Sequence, residues 1–251
     1  MNRASYYGDG IFETIRIANG KVCFVNLHYE RFFYTAKLLG LENIIIVNGN
    51  NFIAYLTEYI NINLIVNARL RIQLSRTGAM GYACTSKNTE VTITHEVLPA
   101  TEYSINKNNY TYGVYTSNYK ACTELSTLKT TSSILYVLAG NYANTNNYNE
   151  ALILNEHGKV AEGYKSNLFI VKNNIVLTPP LSEGALNGVM RKVVLNTCVT
   201  HDIQYKEIPL TLTDVKTANE IWFTNVIQGI CCASVDNSVA TQFLQHINKL
   251  V

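Results

Sequence analysis

The stretch Glu162-Gly-Tyr-Lys-Ser-Asn-Leu-Phe169, followed after one short apolar run by Thr178-Pro-Pro180 and then Leu186-Asn-Gly-Val-Met-Arg191, decides how this chain reads. It brings a carboxylate, an amide and a glycine-opened helix into one short span. A helix N-terminus carries unpaired N–H groups and the positive end of the macrodipole, so it attracts anions. A carboxylate nearby can pair with a protonated ring nitrogen. Together these are the groups needed to hold a phosphorylated cofactor that contains a ring nitrogen.

Outward from this span, the chain reads as two domains, residues 1–105 and 106–251, a division its 251 residues allow. In the first, Ile11-Phe-Glu-Thr-Ile-Arg-Ile17 alternates as a strand, Asn19-Gly20 is a hairpin turn, and Lys21-Val-Cys-Phe-Val25 returns. Helices are predicted over residues 26–39, with Gly40 as the stop, and over 51–60; strands follow at 69–74 and 90–97. The polar run 99–109 reads as a linker. The second domain shows strands at 110–116, 151–154, 167–171, 175–177, 204–208 and 220–223. Helices are predicted over 132–144, after Gly188, and over 239–249.

Composition removes several function classes. Lys plus Arg is 20 against Asp plus Glu 18, a net charge of +2, which gives no footprint for a nucleic-acid backbone or an anionic membrane. No apolar run reaches the ~20 residues of a bilayer span, and the start lacks the charged-then-apolar order of a signal peptide, so a cytoplasmic protein is expected. Six cysteines form no Cys-x-x-Cys pair. They read as buried reduced thiols, and no metal is expected.

A ring-nitrogen cofactor such as pyridoxal phosphate also needs a lysine for a Schiff base. Lys129 stands just before the mostly apolar helix at 132–144, although a lysine there also suits a solvated loop. Glu162 equally suits a surface position, and Arg31 the solvated face of its helix. Taken jointly, Lys129, Glu162 33 residues later, and Asn167-Leu-Phe169 resemble the fold-type IV pyridoxal-phosphate (PLP) enzymes. That family includes branched-chain and D-amino acid aminotransferases and 4-amino-4-deoxychorismate lyases. The N-terminal Tyr7-Gly-Asp-Gly-Ile-Phe-Glu-Thr-Ile-Arg16 resembles the family's opening signature, and the likeness runs from Asn2 to about Ser234.

The resemblance implies an α+β (α/β) two-domain fold, D-amino acid aminotransferase-like, with a small N-terminal domain and a larger C-terminal one carrying the Schiff-base lysine. Lys129 would form the Schiff base and move the proton, and Glu162 would pair with the pyridine nitrogen, with Asn167 beside it. Arg31 and the backbone N–H groups of Val189 and Met190 would hold the phosphate. Tyr7, Phe12 and Asn225 would face the substrate. A homodimer is implied, with Tyr7 turned toward the neighbouring subunit's site.

Within the family, Asn187-Gly-Val-Met-Arg191, Asn225 and Ile134 resemble the lyase branch. The expected reaction is therefore conversion of 4-amino-4-deoxychorismate to 4-aminobenzoate and pyruvate, a step of folate biosynthesis. The alternatives are a branched-chain or D-amino acid aminotransferase, or a PLP-binding protein of this fold that has lost catalysis. Met80 stands where lyases carry a second arginine, and Tyr164 and Lys165 are bulkier than the residues common beside the cofactor. The family's first strand precedes the equivalent of Asn2 and has no counterpart here, which implies a start further upstream or a shortened sheet edge.

Overall fold

The computed structural model describes residues 1–106, 110–234 and 237–251. They divide into two compact units. One comprises Met1–Glu102 with Lys129–Ser133 and Val251; the other comprises Tyr103–Leu128 and Ile134–Leu250. Part of the expected linker, residues 107–109, lies outside the described residues. Upstream of it, Tyr103 is no tether: its ring is buried, its hydroxyl donates to the Val226 carbonyl (2.7 Å), and its N–H donates to Asn248 Oδ1 (2.9 Å).

The first unit opens with a five-residue helix α1 (Arg3–Tyr7) and is built on an antiparallel sheet ordered β2-β1-β3-β4. Its strands are β1 (Gly10–Ala18), β2 (Lys21–Val22), β3 (Ala68–Arg76) and β4 (Thr89–Val97). The returning hairpin strand is shorter than its sequence suggests. Phe24 takes a left-handed backbone (φ 53°), which ends the extended run and starts helix α2 (Val25–Leu38). The buried face of α2 is His28, Arg31, Phe32, Thr35 and Ala36, the i, i+3, i+4, i+7, i+8 stripe of a half-buried helix. Helix α3 (Gly49–Ile62) buries Phe52, Leu56 and Ile60. These side chains close one core with Ile11, Ile15 and Ile17 of β1 and Leu70, Ile72 and Leu74 of β3.

The second unit holds two sheets. One is ordered β5-β6-β7, from β5 (Tyr112–Lys120), β6 (Glu150–Asn155) and β7 (Val160–Gly163). The other is ordered β10-β9-β8-β11-β12. It comprises β8 (Asn167–Lys172), β9 (Ile175–Thr178), β10 (Tyr205–Glu207), β11 (Glu220–Asn225) and β12 (Gly229–Cys232). Helices α4 (Ile134–Thr145), α5 (Val189–Thr200), α6 (Leu212–Lys216) and α7 (Ser238–Asn248) complete it. Two strands go beyond the sequence reading, β7 and β12. Each has only four residues, one of them glycine, too short a run to be read as a strand. The architecture is α+β, the fold class the sequence implied.

Candidate functional site

In the first unit, strand alternation turns Glu13 inward with Ile11, Ile15 and Ile17, and the carboxylate is fully buried. Two residues of the buried face of α2 meet it. Arg31 donates through Nε to Oε1 (2.7 Å) and through a terminal nitrogen to Oε2 (2.6 Å), and His28 Nδ1 lies 2.6 Å from Oε2. Burial alone would push the Glu13 carboxyl up, but the Arg31 charge and then the His28 hydrogen bond outweigh it and hold it near 2. His28 is pushed the other way, down, by burial first, and Arg31 and Lys129 add to this against Glu13. Its Nε2 is buried and lacks a hydrogen-bond partner among the described residues.

The segment carrying Lys129 pairs with β1 of this same unit. The Lys129 carbonyl accepts from Phe12 N–H (3.1 Å), and Thr131 N–H donates to the Gly10 carbonyl (2.9 Å). The lysine is half-buried, with Nζ 4.4 Å from the centre of the Phe12 ring; Arg71 Cζ stands 3.6 Å from that ring. Phe12 is therefore a contact for two cations.

Tyr7 accepts from Gly81 N–H at its hydroxyl (2.8 Å) and packs edge-on to Tyr82. Met80 is 72% exposed. The loop around it is held by a different arginine, the fully buried Arg3, whose guanidinium donates to the carbonyls of Ala79, Gly81 and Tyr82 and to Asp9.

In the second unit, β7 places Glu162 opposite Ile153, with the carboxylate sealed from solvent. Its Oε1 receives the ammonium of Lys120, at the end of β5, and the hydroxyl of Tyr136 on α4 (2.7 Å). Its Oε2 receives the Leu186 N–H (2.8 Å) and, more weakly, Asn167 Nδ2 (3.4 Å). Burial first, and Glu162 next, hold the Tyr136 phenol well above its ordinary range, so it remains a donor. Asn167 has a better acceptor in the Leu186 carbonyl (2.8 Å) and thereby fixes the segment leading into α5.

Gly188 precedes that helix because nothing larger fits: a Cβ there would lie 1.8 Å from Asn167 Oδ1. Because Gly188 is the N-cap of α5, the cap residue offers no side chain to the N–H groups of the first turn, Val189 and Met190 among them. The bulk of Tyr164 is accommodated by Gly140 on α4, where a Cβ would meet the ring at 3.0 Å.

Asn225 is occupied within its own turn. It accepts from the N–H groups of Ile227 (3.0 Å) and Gln228 (2.9 Å) and donates to Gln228 Oε1 (3.1 Å). Of the six thiols, Cys23, Cys198, Cys231 and Cys232 are buried, whereas Cys84 and Cys122 are partly exposed because each lies in a loop. Cys122, Glu156 and His157 stand within 4.8 Å of one another, with Glu156 already accepting from the Cys122 N–H (2.7 Å).

These features define a two-unit, fold-type IV architecture of the PLP-dependent enzymes. The model of the class IV amino-transferase family matches residues 10–234, and the chain belongs to that family. A Methanocaldococcus jannaschii protein named "Putative branched-chain-amino-acid aminotransferase" is 31% identical over 225 residues, covering 89% of this chain and 77% of that one. D-alanine aminotransferase of Staphylococcus haemolyticus is 30% identical over 226 residues, covering 88% and 77%. Among solved structures, one named "Putative 4-amino-4-deoxychorismate lyase", from Legionella pneumophila, superposes with a TM-score of 0.91 at 24% identity. It covers 100% of this chain and 94% of that chain, a likeness of fold. No helix among the described residues is long and apolar enough to cross a membrane.

The residues present fit the cofactor this family uses. Each unit offers groups of the kind that cofactor needs: a buried arginine and a half-buried lysine in the first, and a buried carboxylate and a helix start opened by a glycine in the second. Sequence reading missed Glu13, His28, Lys120, Tyr136 and Arg3. For the first two a signal existed: Glu13 shares the inward register of three isoleucines, and His28 shares a helix face with Phe32 and Ala36.

Proposed function

We propose that this chain is a PLP-dependent aminotransferase acting on a small amino acid, of the branched-chain or D-amino acid kind. The observation that carries the reading is Glu162, a buried carboxylate hydrogen-bonded to the lead-in of a glycine-opened helix, within a chain whose relatives by sequence are aminotransferases. When bound, the cofactor supplies an electron sink for the bond broken at the substrate carbon. Lys129 anchors its aldehyde and moves the proton at the substrate carbon through Nζ. Glu162 holds the ring nitrogen protonated, with Asn167 fixing the loop beside it. Arg31 and the N–H groups of Val189 and Met190 bind the phosphate, and Tyr7 and Phe12 line the substrate side. The homodimer implied by the family belongs to this reading, and sedimentation velocity tests it.

The aminodeoxychorismate lyase remains a second reading, supported by Asn187-Gly-Val-Met-Arg191 and Ile134. Asn225 supports it less, since its side chain already serves its own turn. One experiment separates the two. Protein loaded with PLP is mixed with D-alanine, L-leucine or L-glutamate in the absence of any keto acid, and the keto acid formed is counted. An aminotransferase releases one equivalent per site with its proper donor and stops. No keto acid from any donor, together with 4-aminobenzoate and pyruvate from aminodeoxychorismate, would overturn the aminotransferase reading. Borohydride reduction and peptide mapping should place the pyridoxyl group on Lys129; a label on Lys120 or Lys165 would remove Lys129 from its role.

A further inference from the structure

Glu162 is not a lone carboxylate. A carboxylate offers about four lone-pair positions, and here all are engaged: Lys120 and Tyr136 on Oε1, Leu186 N–H and Asn167 on Oε2. The four donors are unequal. Asn167 reaches Oε2 at 3.4 Å while the same nitrogen serves the Leu186 carbonyl at 2.8 Å, so it can yield its place on Oε2 without losing its better bond. Lys120 has no such freedom. It is 5% exposed, stands at the end of β5, lies 5.2 Å from the centre of the Tyr136 ring, and would be a bare buried cation without Glu162.

We propose that Lys120 is the standing counter-ion of Glu162 and a positioning residue for the cofactor's ring nitrogen: the ring N–H takes the Asn167 position on Oε2 while Lys120 stays on Oε1. It rests on the reading of Glu162 as the ring-nitrogen partner. Two consequences follow from the charge. The carboxylate is fixed before any cofactor arrives, so the ring nitrogen meets a pre-set acceptor. The ring proton is then held by a neutral pair instead of by a net anion, which makes it easier to lose than beside an isolated carboxylate. Lys120 therefore sets how strongly the ring acts as an electron sink.

The test uses PLP labelled with 15N at the ring nitrogen, bound to wild-type protein and to Lys120→Met, Lys120→Arg and Glu162→Gln variants, and followed by 15N NMR as pH is raised. In Lys120→Met the ring nitrogen should keep its proton to higher pH, with a proton affinity about tenfold greater or more; Lys120→Arg should titrate as the wild type. In Glu162→Gln the protonated signal should be lost. If Glu162→Gln leaves the signal unchanged, the assignment of Glu162 fails. If Glu162→Gln removes it and Lys120→Met titrates as the wild type, the role of Lys120 alone is overturned. Without cofactor, Lys120→Met should lower the melting temperature and adding Glu162→Gln should restore part of the loss. Additive losses would show that the pair is not coupled. Should Lys120→Met fail to fold, the Lys120→Met/Glu162→Gln double variant completes the stability comparison. Lys120→Arg then decides the titration, since a departure from wild type despite the retained charge overturns the proposal.

Discussion

Glu13 in the first unit and Glu150 in the second are both fully buried, yet they settle on opposite sides of neutrality. Glu13 is met by a bidentate arginine and a histidine and is held near 2. Glu150 has a serine hydroxyl at 2.5 Å and the Ala151 N–H at 3.2 Å; burial, only partly offset by Ser166, pushes it up to about 7. Burial raises both carboxyls, and the presence of a cation on a facing element decides which one keeps its charge. Glu162 shares the geometry of Glu13, since Lys120 reaches it as Arg31 reaches Glu13. Glu13 is thus kept charged by its partners, while Glu150, which braces the Gly163–Ser166 turn, is a proton-carrying structural group near neutral pH.

The comparison breaks most visibly at Glu13. Glu13→Ala leaves Arg31 buried without its partner, and urea unfolding at neutral pH should show a loss of about 3–5 kcal/mol. Because its carboxyl is held down in the folded state, the stability Glu13 contributes is complete above the ordinary carboxylate range and fades as pH falls toward 2. The variant's deficit should shrink along that same path; a deficit independent of pH would mean that packing, not charge, holds the site.

Glu150 should behave with the opposite sign. Its carboxyl rises from an ordinary 4.5 to about 7, so ionising it costs the folded state as pH climbs through that window. Glu150→Gln should therefore be more stable than the wild type above about pH 8, by up to ~3 kcal/mol at ~1.4 kcal/mol per pH unit, and equal to it below about pH 4.5. A variant less stable at every pH would show that the carboxyl is needed for its hydrogen bonds alone. The smallest effect is expected at Tyr136. Tyr136→Phe removes one donor of four from Glu162, and thermal unfolding should register about 1.5 kcal/mol, the lower end for a hydrogen bond to a charged group. No change would show that Lys120 and the Leu186 N–H suffice.

Much of this was legible in the sequence, and the reasons differ by element. Strand β1 announces itself by alternation and by the Asn19-Gly20 turn, and α5 by the glycine before it. Strand β7 is only four residues long and ends in a glycine, so the strand that holds Glu162 left no readable run even though Glu162 itself was singled out. Arg31 reads as a solvated helix residue until Glu13 is seen facing it, because a buried charge is intelligible only with its partner. Lys120 had no local signal at all: it ends a polar run, and what recruits it is a carboxylate 42 residues further along. Arg3 likewise acts through the carbonyls of a loop far along the chain, where sequence showed only the missing arginine at position 80.

The short run Lys129–Ser133 belongs to the first unit although the chain on both sides of it belongs to the second. The candidate Schiff-base lysine is thus carried by a loan of five residues, held through Gly10, Ile11 and Phe12. A gene cut after residue 102 would give an N-terminal fragment whose β1 has lost this companion, with the Phe12 N–H and the Gly10 carbonyl left for water to satisfy. The two halves of this protein are consequently not exchangeable parts. Shuffling one of them against a homologous half would have to preserve the edge on β1 that receives the lysine's strand, and that edge places a constraint on any chimera, natural or made, that a simple two-domain map would not reveal.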